Sequence, residues 1–151
     1  MIRFSGTVWR ILAADRAGDA TAPVRHSEGR FHHDGQKALY ASLSAEGAGV
    51  AIARYLAPGD AARVIVPLHI TAARLVDHRG NPALSVVWQE DRAATGAPSP
   101  TWAYSDAARA AGAQGLLYSS RSRPDLAHLV LFDLSPGTIP LAGAPAAWPG
   151  P

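Results

Sequence analysis

Apolar and polar residues alternate over 7–12 (TVWRIL), which predicts a first strand. From 15 to 37 the chain is polar, rich in Gly, Asp and His, and without a period. That stretch reads as a long loop, and loops of such length in a compact domain are usually functional or disordered. A short strand at 38–42 (ALYAS) precedes a helix to about residue 56, with Ser44 as N-cap and Glu46 in its first turn. Residues 63–70 (RVIVPLHI) carry the strongest strand pattern; Pro67 lacks a donor for a ladder and predicts a sheet edge or a bulge. Shorter strands follow at 74–77 and 84–88, around an Arg79-Gly80-Asn81-Pro82 turn.

Residues 91–100 have the composition of a linker. Ser105 is placed to cap a small helix over 106–111, closed by Gly112, and strands at 115–118 and 128–132 complete the sheet. The three prolines of 145–151 predict a loose tail on a single domain spanning 1–144. Many short strands with two or three helices make an α+β domain.

A chain of 151 residues, 48% hydrophobic and 17% charged, has enough apolar surface to fold without a staple. The absence of cysteine removes disulfides, zinc ribbons and thiol nucleophiles. No apolar run reaches membrane-span length, and the N-terminal residues do not form a signal-peptide core, so a cytoplasmic protein without membrane contact is expected. Thirteen of the fourteen basic residues are arginine, a bias that goes with GC-rich coding. They form no stripe, which argues against direct nucleic-acid binding, but guanidinium groups suit bidentate capture of a small phosphorylated ligand.

Individual candidates carry little alone. His32-His33-Asp34 lacks a third ligand at metal spacing and reads as a solvated loop; no metal is expected. His69 reads as a core or sheet-face residue, and His26 and His128 have no context. Ser119-Ser120-Arg121 has the groups to hold a phosphate, but serine is common in turns. No Gly-rich phosphate loop, G-x-S-x-G elbow or H-E-x-x-H motif is present.

Three blocks, taken in order, resemble the RES domain family, bacterial toxins usually encoded beside an Xre-like antitoxin. They are Trp9-Arg10-Ile11; Gly29-Arg30-Phe31 followed by Leu39-Tyr40-Ala41-Ser42; and Gly115-Leu116-Leu117-Tyr118-Ser119-Ser120-Arg121 followed by His128-Leu129-Val130-Leu131-Phe132. The resemblance spans about residues 7 to 133. It implies an ADP-ribosyltransferase-like split β-sheet core with a few short helices. The family is named for an Arg, a Glu and a Ser. Arg30 and Ser120 match the first and last, but Ala51 stands where the Glu is expected, and Glu46 lies about 140° round the helix from it.

The implied chemistry is cleavage of NAD+, used as a substrate, at the bond between nicotinamide and ribose. Arg30 would clamp the pyrophosphate, Tyr40 pack on nicotinamide or ribose, and Ser120 bond the ribose or amide. Arg10 and Arg121 would serve as further phosphate partners. The resemblance implies transfer of ADP-ribose to a host-cell protein; NAD+ hydrolysis or phosphorolysis, or an inactive binding module, are the alternatives. It also implies an Xre-like antitoxin partner, for which Trp102 and Trp148, near the two segments expected to be flexible, are candidate anchors.

Overall fold

Among the described residues, seven strands pair into one sheet whose path returns on itself. The computed structural model describes residues 1–135 and 137–151. Strand β1 is Ile2–Ala13, β2 Leu39–Ser42, β3 Arg63–Asp77, β4 Gly115–Ser119, β5 Ala127–Leu131, β6 Leu141–Ala142 and β7 Ala146–Trp148. Strand β1 runs antiparallel to β3 almost throughout, and β2, β5 and β4 form an antiparallel trio. The two groups meet through the parallel β3–β4 contact at 75–77 and the single pair Trp9↔Ser42. The result is a ring of five strands split into two sub-sheets, an α+β architecture with short helices.

Each ring strand turns one face inward. Val8, Leu39, Leu68, Leu75, Leu117 and Leu129 are fully buried there, in a core built of aliphatic side chains. The opposite face of β2–β5–β4 carries Tyr40, Leu116, Tyr118 and Val130, and is partly roofed by Phe31, Leu84 and Ala108.

Strand β3 is one element where the sequence pattern predicts two. Its inward positions are even up to Ile70 and odd from Ala73, because Thr71 and Ala72 together stand opposite Ser5. Ala72 adopts φ 52° and donates its N–H to Ser5 Oγ (2.8 Å), so the bulge flips the parity without breaking the strand. Of the sheet edge or bulge expected at Pro67, the bulge lies five residues further on. Pro67 falls in the gap between the short β7 and β6 pairings, where its carbonyl accepts from Gly143 N–H (2.8 Å).

Three further expectations change. Residues 84–88 form no strand: Asn81 caps Ala83 N–H (3.0 Å), Pro82 opens a 3-10 turn, Pro82–Leu84, and bends follow. The expected linker at 91–100 holds helix α2, Glu90–Thr95, ended by Gly96 at φ 75°. The segment 145–151, expected as a loose tail, contains β7, whose pairing with β3 ties it to the sheet.

Helix α1, Ala45–Ile52, starts as expected, with Ser44 Oγ accepting Gly47 N–H (2.9 Å), and continues as a 3-10 turn, Ala53–Tyr55. Helix α3, Trp102–Ala110, begins earlier than expected; Ser105 lies inside it, bonded to Trp102 O, and Gly112 follows at φ 78°.

Candidate active site

A cleft of about 720 Å3 opens on the outer face of β2–β5–β4, between α1 and the segments at 26–32 and 88–89. Its volume suits a drug-sized or dinucleotide ligand. Arg10, Arg30, Tyr40, Ser120 and Arg121, the five residues that the resemblance implies, all line it, and so does Ala51.

Strand register builds the floor. Ser42, His128 and Tyr118 are paired in one row across three strands, and Tyr40, Val130 and Leu116 form the next. Ser42 Oγ and His128 Nδ1 are 2.7 Å apart, and the Tyr118 ring centroid lies 5.4 Å from the imidazole. Burial, reinforced by the charge of Arg30, pushes His128 down to about 4, so the imidazole is neutral near pH 7. Burial likewise holds the Tyr40 and Tyr118 hydroxyls well above the usual phenol range. The floor is therefore polar but uncharged.

The wall at 26–32 is a tight hairpin. Gly29 N–H donates to His32 O (2.9 Å), and His32 Nε2–H donates to His26 O (2.8 Å). That fixes the imidazole tautomer, so Nδ1 accepts from the Tyr40 hydroxyl (2.8 Å), which in turn accepts Phe31 N–H (2.9 Å). Trp102 Nε1–H reaches Gly29 O (2.8 Å), and the Thr101 hydroxyl binds Arg30 O. A Cβ on residue 29 would sit 2.3 Å from His32 Cε1 and 3.0 Å from the Tyr40 oxygen. Glycine at 29 is a steric requirement of the Gly-Arg-aromatic motif.

Within this frame Arg30 is half-buried. Its Nη1 donates to Val86 O (2.7 Å) and Leu84 O (3.1 Å); no described hydrogen bond uses Nε or Nη2. Burial lowers its pKa, but a guanidinium stays charged. Arg10 is more committed: Nη1 donates to Ala22 O (2.8 Å) and Ala20 O (2.9 Å), and burial lowers its pKa to about 10. Arg10 thus holds the loop after β1 as well as facing the cleft. Tyr40 offers its ring, its hydroxyl being occupied by the hairpin.

On the far rim Ser120 is buried and accepts Arg123 N–H (3.3 Å), which leaves its own proton free to donate; Arg121 is exposed. Arg123 ties this loop to Asp125 and to Glu46 of α1 (3.0 Å). Glu46 points to that ion pair and is not among the lining residues. Ala51 is exposed on α1.

The sequence did not single out Ser42, Tyr118, His128, Arg54 or Glu28 as site residues, yet all five line the cleft. Arg54, beyond α1, carried no local signal at all. The reading of 32–34 as solvated holds for Asp34 but not for the two histidines. His32 is fully buried, and His33 stacks on Trp102 (centroids 4.4 Å apart) between Asp106 and Asp34. The buried Trp102 is thereby an internal brace rather than an exposed anchor, and Trp148 lies in β7 beside Gly49 of α1. Among the described residues no group of three or more His, Asp or Glu is placed to hold a metal, and no helix is long and apolar enough to cross a membrane.

The family model of the RES domain matches residues 7–148. Among solved structures, the chain is similar to one in the M. tuberculosis MbcT–MbcA toxin–antitoxin complex. The TM-score is 0.66 at 20% identity, covering 97% of this chain and 86% of that one. By sequence, no curated protein matches.

Proposed function

The chain belongs to the RES domain family, and from that premise we propose that it is the toxin of a toxin–antitoxin pair, cleaving NAD+ and transferring ADP-ribose to a host-cell protein. The observation that carries this reading is the cleft itself: four arginines (Arg10, Arg30, Arg54, Arg121) surround a floor of neutral Tyr, Ser and His. Guanidinium donors match a pyrophosphate, and uncharged rings match nicotinamide and ribose.

In this mechanism the free nitrogens of Arg30 bind the pyrophosphate, with Arg121 and Arg10 as further partners. The Tyr40 ring packs on the nicotinamide riboside, and the Ser120 hydroxyl donates to the ribose or the carboxamide. The C1′–N bond breaks with both electrons leaving on nicotinamide, which departs neutral and needs no general acid. Catalysis consists of holding the dinucleotide in a reactive shape and stabilising the ribosyl cation. The acceptor's lone pair then attacks C1′, and its proton passes to solvent.

Purified protein incubated with NAD+ labelled in its adenylate half and a cell lysate tests the reading. A labelled protein band is expected. Free ADP-ribose or its 1″-phosphate without a band points to hydrolysis or phosphorolysis instead, and intact NAD+ to a binding module. An Xre-like antitoxin that covers the cleft completes the proposal; the solved toxin–antitoxin complex of the structural neighbour supports an antitoxin partner of some kind. Co-expression with the adjacent gene product should give one peak in size-exclusion chromatography, and two separate peaks with undiminished toxicity would refute the pairing.

A further inference from the structure

Positive charge developing on a ribose is poorly served by a cleft of arginines. Two of them can be answered by the pyrophosphate, but the ribosyl centre needs a counter-charge of its own. Among the described lining residues there is one carboxylate, Glu28, immediately before Gly29-Arg30. We propose that Glu28 is the carboxylate that contacts the ribose in the transition state, presented by Arg92 as its positioning residue; the assignment rests on the NAD+-cleaving function.

The geometry around Glu28 suits that role. Arg92 grips it with two donors, Nη2 to Oε1 (2.7 Å) and Nε to Oε2 (3.2 Å), which fixes the plane of the carboxylate. Each oxygen keeps a further lone pair for a ribose hydroxyl. Arg92 is held in turn by its Nη1 bond to Gly96 O (2.7 Å) and by the face of Trp102, 5.3 Å away. The same Trp102 fixes Gly29 O, so one brace sets both the carboxylate and the Arg30 segment. With its side chain 33% exposed, Glu28 is neither sealed in the pair nor swung into solvent. Glu28 reaches the cleft from the hairpin wall, whereas position 51 lies on α1. During cleavage Glu28 stays ionised and takes no proton; it acts by charge and by accepting hydroxyl hydrogen bonds.

The test compares two variants that break the same ion pair. Glu28→Gln removes the charge; Arg92→Gln leaves the carboxylate in place but ungripped. Steady-state cleavage of NAD+ by the full chain, thermal melting and NAD+ binding are measured for both. Glu28→Gln is expected to lower kcat about a hundredfold, with KM changed by no more than about threefold, and Arg92→Gln to lower kcat less than about tenfold. Their melting temperatures should fall together, because the lost pair is shared. Equal kcat losses in the two variants, or a Glu28→Gln enzyme as active as wild type, would reduce the pair to a structural brace and overturn the assignment. A wild-type chain that neither binds nor cleaves NAD+ would overturn the functional reading itself, and this inference with it.

Discussion

The two faces of β2, β5 and β4 share a backbone and both bury apolar residues, but only one also carries a polar row. The inward face packs Leu39, Leu117, Leu129 and Leu131 against the rest of the ring, and its order comes from shape and the exclusion of water. The outward face sets Tyr40, Ser42, Tyr118 and His128 beside the buried Leu116 and Val130, and adds to apolar packing a Ser42–His128 bond and the hydrogen bonds of Tyr40 into an irregular hairpin. The inner face holds the domain together; the outer one holds donors and acceptors at fixed places, some with capacity left over. A site of this kind needs the rigid floor that the core supplies and the unsatisfied groups that a core cannot tolerate.

The comparison is sharpened most by removing apolar volume from the inner face. Leu117→Ala should destabilise the fold by about 2–5 kcal/mol in denaturant unfolding, while the folded fraction keeps its NAD+ turnover. Lost turnover at full occupancy of the folded state would show that the two faces are not independent.

The second test uses pH. His128 has a folded-state pKa pushed down to about 4, so the unfolded chain binds its proton more readily. Its contribution to stability is complete above about pH 6.5 and is lost as pH falls towards 4, on the order of 3 kcal/mol. His33 has the opposite sign. Burial opposes its charge, but hydrogen bonds to Asp106 and Asp34 outweigh it and raise the pKa. Its contribution is complete below about pH 6.5 and is lost as pH rises through the raised value. It is worth no more than about 1 kcal/mol, because Asp106 is 44% exposed. Melting of His128→Gln and His33→Gln across pH 4–8 should therefore diverge from wild type at opposite ends of the range; parallel curves would break the assignment.

Third, Arg30→Ala should cut NAD+ consumption by about 1.5–3 kcal/mol in transition-state binding, or roughly ten- to a hundredfold and more, with the core intact. The 84–86 segment loses the donor that holds Leu84 and Val86 carbonyls, so local hydrogen exchange should rise there. Unchanged turnover would remove Arg30 from the mechanism.

The smallest effect is expected from Ala51→Glu. A charge at 51 has no burial penalty, because the position is exposed, so stability should change by no more than about 0.5 kcal/mol. With Glu28 already present, turnover should stay within a few-fold of wild type; a large gain would make Ala51 a lesion.

The sequence by itself determined the features that neighbours along the chain decide. Apolar patterning located most of the ring, Ser44 and Gly112 marked helix ends, and the resemblance to the RES family, carried by short motifs, implied Arg10, Arg30, Tyr40, Ser120 and Arg121, which do share one cleft. Those signals are local because propensity, capping and side-chain period act within a few residues. The bulge at Ala72, by contrast, depends on Ser5 of another strand, so the parity switch in β3 looked like two strands. Helix α2 and the 84–88 bends are held by Arg92 with Glu28 and by Arg30 with two carbonyls, partners more than fifty residues away. The Ser42–His128–Tyr118 row and the burial of His32 likewise exist only once β2, β5 and β4 are in register. Tertiary structure decided these because a polar side chain leaving water must find a partner, and the partner is chosen by the closure of the ring rather than by proximity in the chain.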